Sequence, residues 1–366
     1  MFAPVSLNAL SNHGFDSLID VRSPAEFAED HLPGALNLPV LNDEERARVG
    51  TIYKQQSPFR ARKIGAALVF RNAATHIETA LADRDGGWRP LVYCWRGGQR
   101  SGSFSWMLRE IGWRADTLEG GYKTFRRFVT DLLYETPLPY RLVQLGGYTG
   151  TGKTALLHRL HHLGVQIIDL EGLARHRGSL LGRLDEPQPG QKAFESALAT
   201  ALVSLDPARP VLLEAESSRI GDLALPPTLW CAMKEAPWIV VDAPLEARAG
   251  YLARVYHSVL ADHIELKNKL EPLRQHRGHT VVNRWMDLID ARDHLALCRA
   301  LAHEHYDPAY DKSVRKHAPR VAARIESSDL SETALDAASQ RIAAAFQRIE
   351  SAPAGASVIR PTTAAL

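Results

Sequence analysis

"RLVQLGGYTGTGKTALLHRL", residues 141–160, decides the fold of the C-terminal part of the chain. An apolar strand-like run leads into Gly147-Tyr148-Thr149-Gly150-Thr151-Gly152-Lys153-Thr154, and an apolar helix-like run follows. The pattern G-x-x-x-x-G-K-[ST] between a strand and a helix describes a phosphate loop. Glycines let backbone amides close around phosphate oxygens, the lysine spans them as a point charge, and the threonine hydroxyl can ligate Mg²⁺. The candidate diphosphate-binding residues are therefore Gly147, Thr149, Gly150, Thr151, Gly152, Lys153 and Thr154, with Thr154 also the candidate Mg²⁺ ligand. The motif leaves open whether the ligand is a nucleotide or another diphosphate.

Working outward, "VQIIDLE", "PVLLEAE" and "PWIVVDA" repeat the strand–loop–helix rhythm, each an apolar run closing on an acidic residue. Such repetition predicts a parallel sheet with helices on its faces. Strand ends in this kind of sheet face the ligand, so Asp169, Glu171, Glu214 and Glu216 are candidate carboxylates. They would hold Mg²⁺ or its waters, steer a nucleophile, or cap the next helix. "HRGS" (His176 to Ser179) is either a phosphate or base-edge contact or an exposed loop. Beyond Ala243 the pattern turns helical, "SETALDAASQRIAAAFQRIE" reads as one amphipathic helix, and 351–366 reads as a disordered tail.

Upstream, a second α/β unit is written around "VYCWRGGQRS", Val92 to Ser101. Cys94 follows a near-continuous apolar strand and precedes a helix with apolar residues at Phe104, Met107, Leu108 and Ile111. Gly97 and Gly98 permit a tight turn whose amides form an anion nest, and Arg96 and Arg100 add fixed positive charge. This setting favours thiolate over thiol. "SPAEFAEDHLPG" adds a helix start, with Ser23 at the N-cap, Pro24 at the first helical position and Glu26 closing a capping box. Cys231 and Cys298 lie in apolar, helix-like contexts and read as structural.

A length of 366 residues suggests two domains. Three scattered cysteines exclude a disulfide framework or a zinc site and suit a reducing compartment. "MFAPVSLNALSNHG" has neither a basic leader nor a long apolar run, and nothing approaches the roughly 20 apolar residues of a membrane span; a cytoplasmic location is expected. The net charge of +2 does not itself announce a nucleic-acid binder. "FRARK" (Phe59 to Lys63), "YKTFRR" (Tyr122 to Arg127) and the stretch Lys267 to Arg284 are locally basic.

"LIDVRSPAEFAEDHLPGALNLP", "LVYCWRGGQRS" and "TLEGGYKTF" together resemble a rhodanese domain. In that family the cysteine at the position of Cys94 carries a transferable sulfur or selenium atom. Asp20 and Arg22 match its D-x-R, which supports the active-site side of the sheet, and His31, Pro33 and Gly34 match its H-x-P-G turn. Gln99 stands where the family often has a hydroxyl residue, a departure from the thiosulfate-sulfurtransferase pattern. A rhodanese domain followed by a phosphate-loop domain with "DLEGLARHRGS", "QPGQKAFE" and "EAESSRIG" resembles the tRNA 2-selenouridine synthase family over nearly the whole chain.

The resemblance implies an α/β protein: a rhodanese-like domain at 1–128, a helical connector at 129–140, and at 141–350 a P-loop NTPase-like parallel-sheet domain with a helical extension. It also implies a reaction. The sulfur of wobble 2-thiouridine in tRNA is geranylated by geranyl diphosphate, and selenium from selenophosphate then displaces the geranylthio group. The expectation for Cys94 is that it carries selenium as a selenyl-sulfide, or activates it, while Arg96 and Arg100 hold the incoming anion. Lys267, Lys269, Arg274, Arg277 and Arg284 are the candidate tRNA contacts, and a selenophosphate-supplying enzyme is a possible partner. The rivals are a nucleotide-hydrolysing or kinase-like enzyme fused to a rhodanese, and a non-enzymatic scaffold.

Overall fold

Leu91, Val92 and Tyr93 are fully buried, as a strand covered on both faces requires. They lie in a four-stranded parallel sheet of β1 (Ser17–Asp20), β2 (Ala35–Asn37), β3 (Pro90–Tyr93) and β4 (Asp116–Thr117), ordered β2-β1-β3-β4. Ile19, Val21, Phe104, Leu108 and Trp113 pack with Val92 into its core. The expected capping box is present: the Ser23 amide donates to Glu26 at 3.3 Å ahead of the helix Pro24–Glu29. The helix Gln99–Ile111 stops at Gly112, whose φ of 112° lies in the left-handed region. This computed structural model describes residues 1–182 and 186–351. All of the expected tail except Ser351 lies outside them.

The chain divides into two units, Met1–Thr136 with Pro189–Ser204, and Pro137–Gln188 with Leu205–Leu366. This differs from the boundaries read in the sequence in two ways. Residues 129–136 are no separate connector: the helix Tyr122–Thr130 continues into a π-helical turn, Asp131–Glu135, inside the first unit. The helix Gln191–Val203 also belongs to the first unit, although the sequence placed it in the second domain. Its polar partners explain why. Ser196 donates to Asp30 at 2.9 Å, Lys192 pairs with Glu29 at 2.5 Å, and Glu195 accepts from Tyr134 at 2.5 Å and pairs with Arg126.

In the second unit, β5 (Leu142–Gly146), β6 (Ile167–Ile168), β7 (Val211–Glu214), β10 (Trp238–Asp242) and β11 (Val321–Glu326) form a parallel sheet ordered β11-β10-β5-β7-β6. A two-stranded hairpin, β8 (Arg219–Ile220) with β9 (Leu223–Ala224), stands apart. The chain fills the β7 side first and then crosses to β10, so the order reverses beside β5, where ligands of such sheets bind. Strand β11 corrects the all-helical expectation beyond Ala243. Its only buried residue is Ile325, so the run lacks the apolar density of a central strand, and Arg324 ties it to Asp242 of β10 at 3.0 Å. Val143, Leu145, Leu156, Leu212, Val241 and Phe346 share the core. Among the described residues no helix is long and apolar enough to cross a membrane.

Candidate active sites

Cys94 sits at the C-terminal end of β3 with its thiol addressed by two donors: the Gly98 amide at 3.3 Å and the Ser101 hydroxyl at 3.2 Å. Burial by itself pushes the thiol upward. The Ser101 hydrogen bonds, the Arg100 charge and the Arg96 amide outweigh it, so the net shift is below the usual 9.0. Sequence reasoning passed over Ser101 because it follows Gln99 and falls outside the usual loop spacing. One helical turn nevertheless brings its hydroxyl back over the sulfur. Arg100 is held by Glu26 at 2.9 Å.

The loop is fixed from below by the Gly120–Gly121 turn. The Tyr122 amide donates to the Cys94 carbonyl at 2.9 Å and the Lys123 amide to the Trp95 carbonyl at 3.1 Å. A Cβ on Gly121 would lie 2.2 Å from the Cys94 carbonyl oxygen, and one on Gly97 would lie 2.7 Å from that of Leu118. Both glycines have positive φ. Asp20 and Arg22 form a fully buried pair at 2.6 Å, and Arg22 also donates to the Asp30 carbonyl and lies 4.0 Å over the Tyr122 ring. Neither acts on the sulfur directly; they hold the strand end that carries it. Asp30 completes this support by accepting from Tyr122 at 2.7 Å, a role that no short motif announces.

The phosphate loop packs as its glycines require. A Cβ on Gly147 would lie 2.6 Å from the Val241 carbonyl, and one on Gly150 would lie 2.8 Å from Leu252. Thr151 is buried beneath the loop and bonds the Tyr148 carbonyl at 2.9 Å. Lys153 caps the loop at 3.2 Å from the Gly147 carbonyl, and Thr154 donates to Glu171 at 2.6 Å. Beside them opens a cavity of about 450 Å³, within the range of small-molecule sites. Lys153, Thr154, Glu171 and Glu216 line its polar side, and Tyr251, Leu252, Val255, Tyr256 and Tyr306 its apolar side. The helix Leu245–Val255 brings that apolar wall against Gly150 and Gly152. Sequence reasoning did not find it. The "HRGS" loop joins the wall: Arg177 lies 4.9 Å over the Tyr256 ring, and Ser179 meets the Tyr256 hydroxyl at 3.1 Å.

The four candidate carboxylates separate. Asp169 caps the helix Leu170–Ala174 through Gly172 and meets His158 at 2.8 Å. Glu214 is fully buried and does not line the cavity; it accepts from the Leu170 amide at 3.0 Å, and its second oxygen has no partner among the described residues. Burial, then Asp169 and Glu171, push its carboxyl well up, favouring the protonated form. Glu171 and Glu216 remain to face the ligand. Among the described residues, no group of three or more histidines, cysteines or carboxylates is arranged to hold a metal.

Glu216 is pushed up to about 8 by burial and by Glu171, against the downward pull of Lys153. A carboxyl near 4.5 when unfolded and near 8 when folded binds its proton more tightly in the folded chain. The resulting stability is complete below the unfolded value and is lost as pH rises through the folded one. The ligand-free protein should therefore lose thermal stability between pH 4.5 and 8, and Glu216→Gln should flatten that part of a Tm–pH profile. An unchanged profile would mean that Glu216 titrates as an ordinary carboxylate.

The expected RNA-contacting cations are engaged internally. Lys267 pairs with Asp290 at 2.5 Å, Lys269 with Glu265 at 2.7 Å, and Arg274 with Glu271 at 2.7 Å. Arg277 bonds the His305 carbonyl at 2.8 Å, and Arg284 pairs with Glu304. Trp285, next to Arg284 in the sequence and the one aromatic side chain of Trp, Tyr or Phe type within or beside this stretch, is buried and offers no face for stacking. Cys298 is buried and pushed up to about 12 by burial, whereas Cys231 is exposed on the helix Pro227–Glu235 rather than structural.

Comparison with known proteins adds to this geometry. The family profile "tRNA 2-selenouridine synthase AAA domain" matches residues 140–341, and the "Rhodanese-like domain" profile matches residues 3–127. The tRNA 2-selenouridine synthase of Hahella chejuensis is 35% identical over 345 residues, covering 84% of this chain and 88% of that one. The one from Shewanella halifaxensis is 33% identical over 337 residues, covering 83% and 90%. The similarity to the Nitrosomonas europaea protein of the same name is 39% over 243 residues and spans 65% of this chain and 63% of that one.

Proposed function

The chain belongs to the tRNA 2-selenouridine synthase family, and we propose that it converts 2-thiouridine in tRNA to 2-selenouridine through an S-geranyl intermediate. The observation that carries this reading is one chain holding both a thiol nest around Cys94 and a phosphate cavity with an apolar wall. A sulfurtransferase alone has no need of the second, nor a kinase of the first.

In the first step the thiocarbonyl sulfur attacks C1 of geranyl diphosphate. The C–S bond forms as the C–O bond breaks, diphosphate takes the electron pair, and the base gives up its N3 proton. Lys153 and the loop amides stabilise the leaving diphosphate. The Tyr251, Leu252, Val255 and Tyr256 wall takes the isoprenoid chain. The oxygen donors of Thr154 and Glu171 suit a hard cation, and these two residues would hold Mg²⁺. When bound it would add charge stabilisation to the departing oxygens.

In the second step selenium from selenophosphate forms the C2–Se bond as the C2–S bond breaks. Geranylthiolate leaves and takes a proton from water, and hydrolysis of the Se–P bond releases phosphate. Cys94, flanked by Arg96 and Arg100, activates the incoming selenophosphate without forming an S–Se bond, because a selenyl-sulfide would need a two-electron oxidant. A selenophosphate-supplying enzyme is the partner this step asks for, and a tRNA substrate places the work in the cytoplasm.

The test is mass spectrometry of nucleosides from a 2-thiouridine anticodon stem-loop incubated with protein, Mg²⁺ and geranyl diphosphate, then with selenophosphate. Gain of one geranyl group followed by its exchange for selenium is expected. An unchanged nucleoside, with ATP consumed in a parallel reaction, would favour a kinase-like enzyme.

A further inference from the structure

We propose that the RNA is taken by the helical hairpin of Asp43–Gln55 and Pro58–Glu78 in the first unit, its flank holding phosphates and its tip stacking on unpaired bases. The inference rests on the tRNA reading above. It follows from charge that the fold leaves unspent.

From Arg46 to Ile77 the sequence contains no Asp or Glu, and it carries seven cations, Arg46, Arg48, Lys54, Arg60, Arg62, Lys63 and Arg71, in a chain of net charge +2. All seven are exposed. Among the described residues, only Arg46 of the seven has a carboxylate partner, Glu26 at 3.5 Å. The stretch Lys267 to Arg284 is the opposite case, its cations already bonded to acids or carbonyls. A phosphate would have to compete for those cations, whereas on the hairpin it finds them in water.

Helical spacing arranges the hairpin for this use. Ala61, Gly65, Val69 and Ala73 form the buried stripe of the second helix, and Gly65 sits against Val49 of the first. That register turns Phe59, Arg62, Lys63 and Phe70 to the other face. Tyr53 and Phe59, at the facing ends of the two helices, are 55% and 71% exposed. Phe70 meets the exposed Trp106 edge-on at 6.2 Å. Exposed aromatics interleaved with unpaired cations are what a single-stranded nucleic acid needs, since every base has a face to stack and every nucleotide a phosphate. The surface is continuous with the thiol site, because Glu26 takes both Arg46 of the hairpin and Arg100 of the Cys94 loop.

Full-length protein titrated into a labelled anticodon stem-loop RNA across a range of salt concentrations tests this. Arg62→Glu with Lys63→Glu should weaken binding at least about tenfold and make the slope of log K against log salt shallower by about two. Tyr53→Ala with Phe59→Ala should weaken it about five- to a hundredfold with the slope unchanged. Lys267→Gln with Arg284→Gln should bind as wild type, and all variants should keep the wild-type rate of Cys94 alkylation, which reports an intact first unit. Wild-type affinity and slope in the hairpin variants would overturn the inference and leave the tRNA reading standing, as would loss of binding in the Lys267/Arg284 variant. Wild-type protein that binds anionic phosphatidylserine vesicles but no RNA would overturn both.

Discussion

Lys153→Ala should lower geranyl transfer by about a hundred- to a thousandfold, the scale on which losing one preorganised charge at a developing anion is felt. Among the described residues the Lys153 ammonium bonds the Gly147 carbonyl, at 3.2 Å, at the rim of the cavity. Truncation removes that bond and the pull of Lys153 on Glu216 but no core contact, so the thermal transition should shift little and Cys94 should alkylate at the wild-type rate. The loop itself is held by contacts that do not involve the lysine: Gly147 against the Val241 carbonyl, Gly150 against Leu252, and Thr151 beneath Tyr148. Supplied with RNA that already carries S-geranyl-2-thiouridine, the variant should still exchange it for selenium. Unimpaired geranylation in the variant would remove the phosphate loop from the first step.

Cys94→Ser should do the reverse, ending selenium incorporation while geranylation continues, so that S-geranyl-2-thiouridine accumulates in the RNA. Serine is nearly isosteric, and the Gly98 amide and Ser101 hydroxyl that face the sulfur can serve a hydroxyl equally well. The protein should therefore fold normally, and the loss is chemical. The same donors, with Arg100, hold the thiol below its usual range despite burial. Alkylation of wild type should accordingly reach its plateau at a lower pH than that of a free thiol, and Ser101→Ala should move the midpoint back up. Full selenation by Cys94→Ser would end the assignment of the selenium step to this residue.

The two sites were legible because each is local in sequence. A turn with glycines at fixed offsets, a nucleophile or lysine at its end and a helix beginning at once need nothing from the rest of the chain to be recognised. The carboxylates were less legible. Asp169, Glu171, Glu214 and Glu216 all follow strands, yet Asp169 caps a helix and Glu214 is sealed in the core, which leaves Glu171 and Glu216 to the cavity wall. Spacing cannot separate these cases, since they depend on the direction in which each short segment leaves the sheet. The cations at 267–284 were chosen for their density; Glu265 and Glu271 neutralise Lys269 and Arg274 from one helical turn away, but density does not reveal that Asp290 and Glu304 fold back onto Lys267 and Arg284.

By itself, the sequence determined the two α/β units, the thiol nest and the phosphate loop, because apolar runs, turn glycines and helix starts act over a few neighbouring residues. Only the tertiary structure decided that the helix Gln191–Val203 joins the first unit, that Val321–Glu326 becomes a fifth strand, that Ser101 and Asp30 support the Cys94 loop, and that tyrosines wall the phosphate cavity. Ser101 is returned to Cys94 by one turn of the following helix, while for the others the deciding partner, whether Asp30 for Ser196, Asp242 for Arg324 or Gly150 for Leu252, is distant along the chain and is met only when the sheets form.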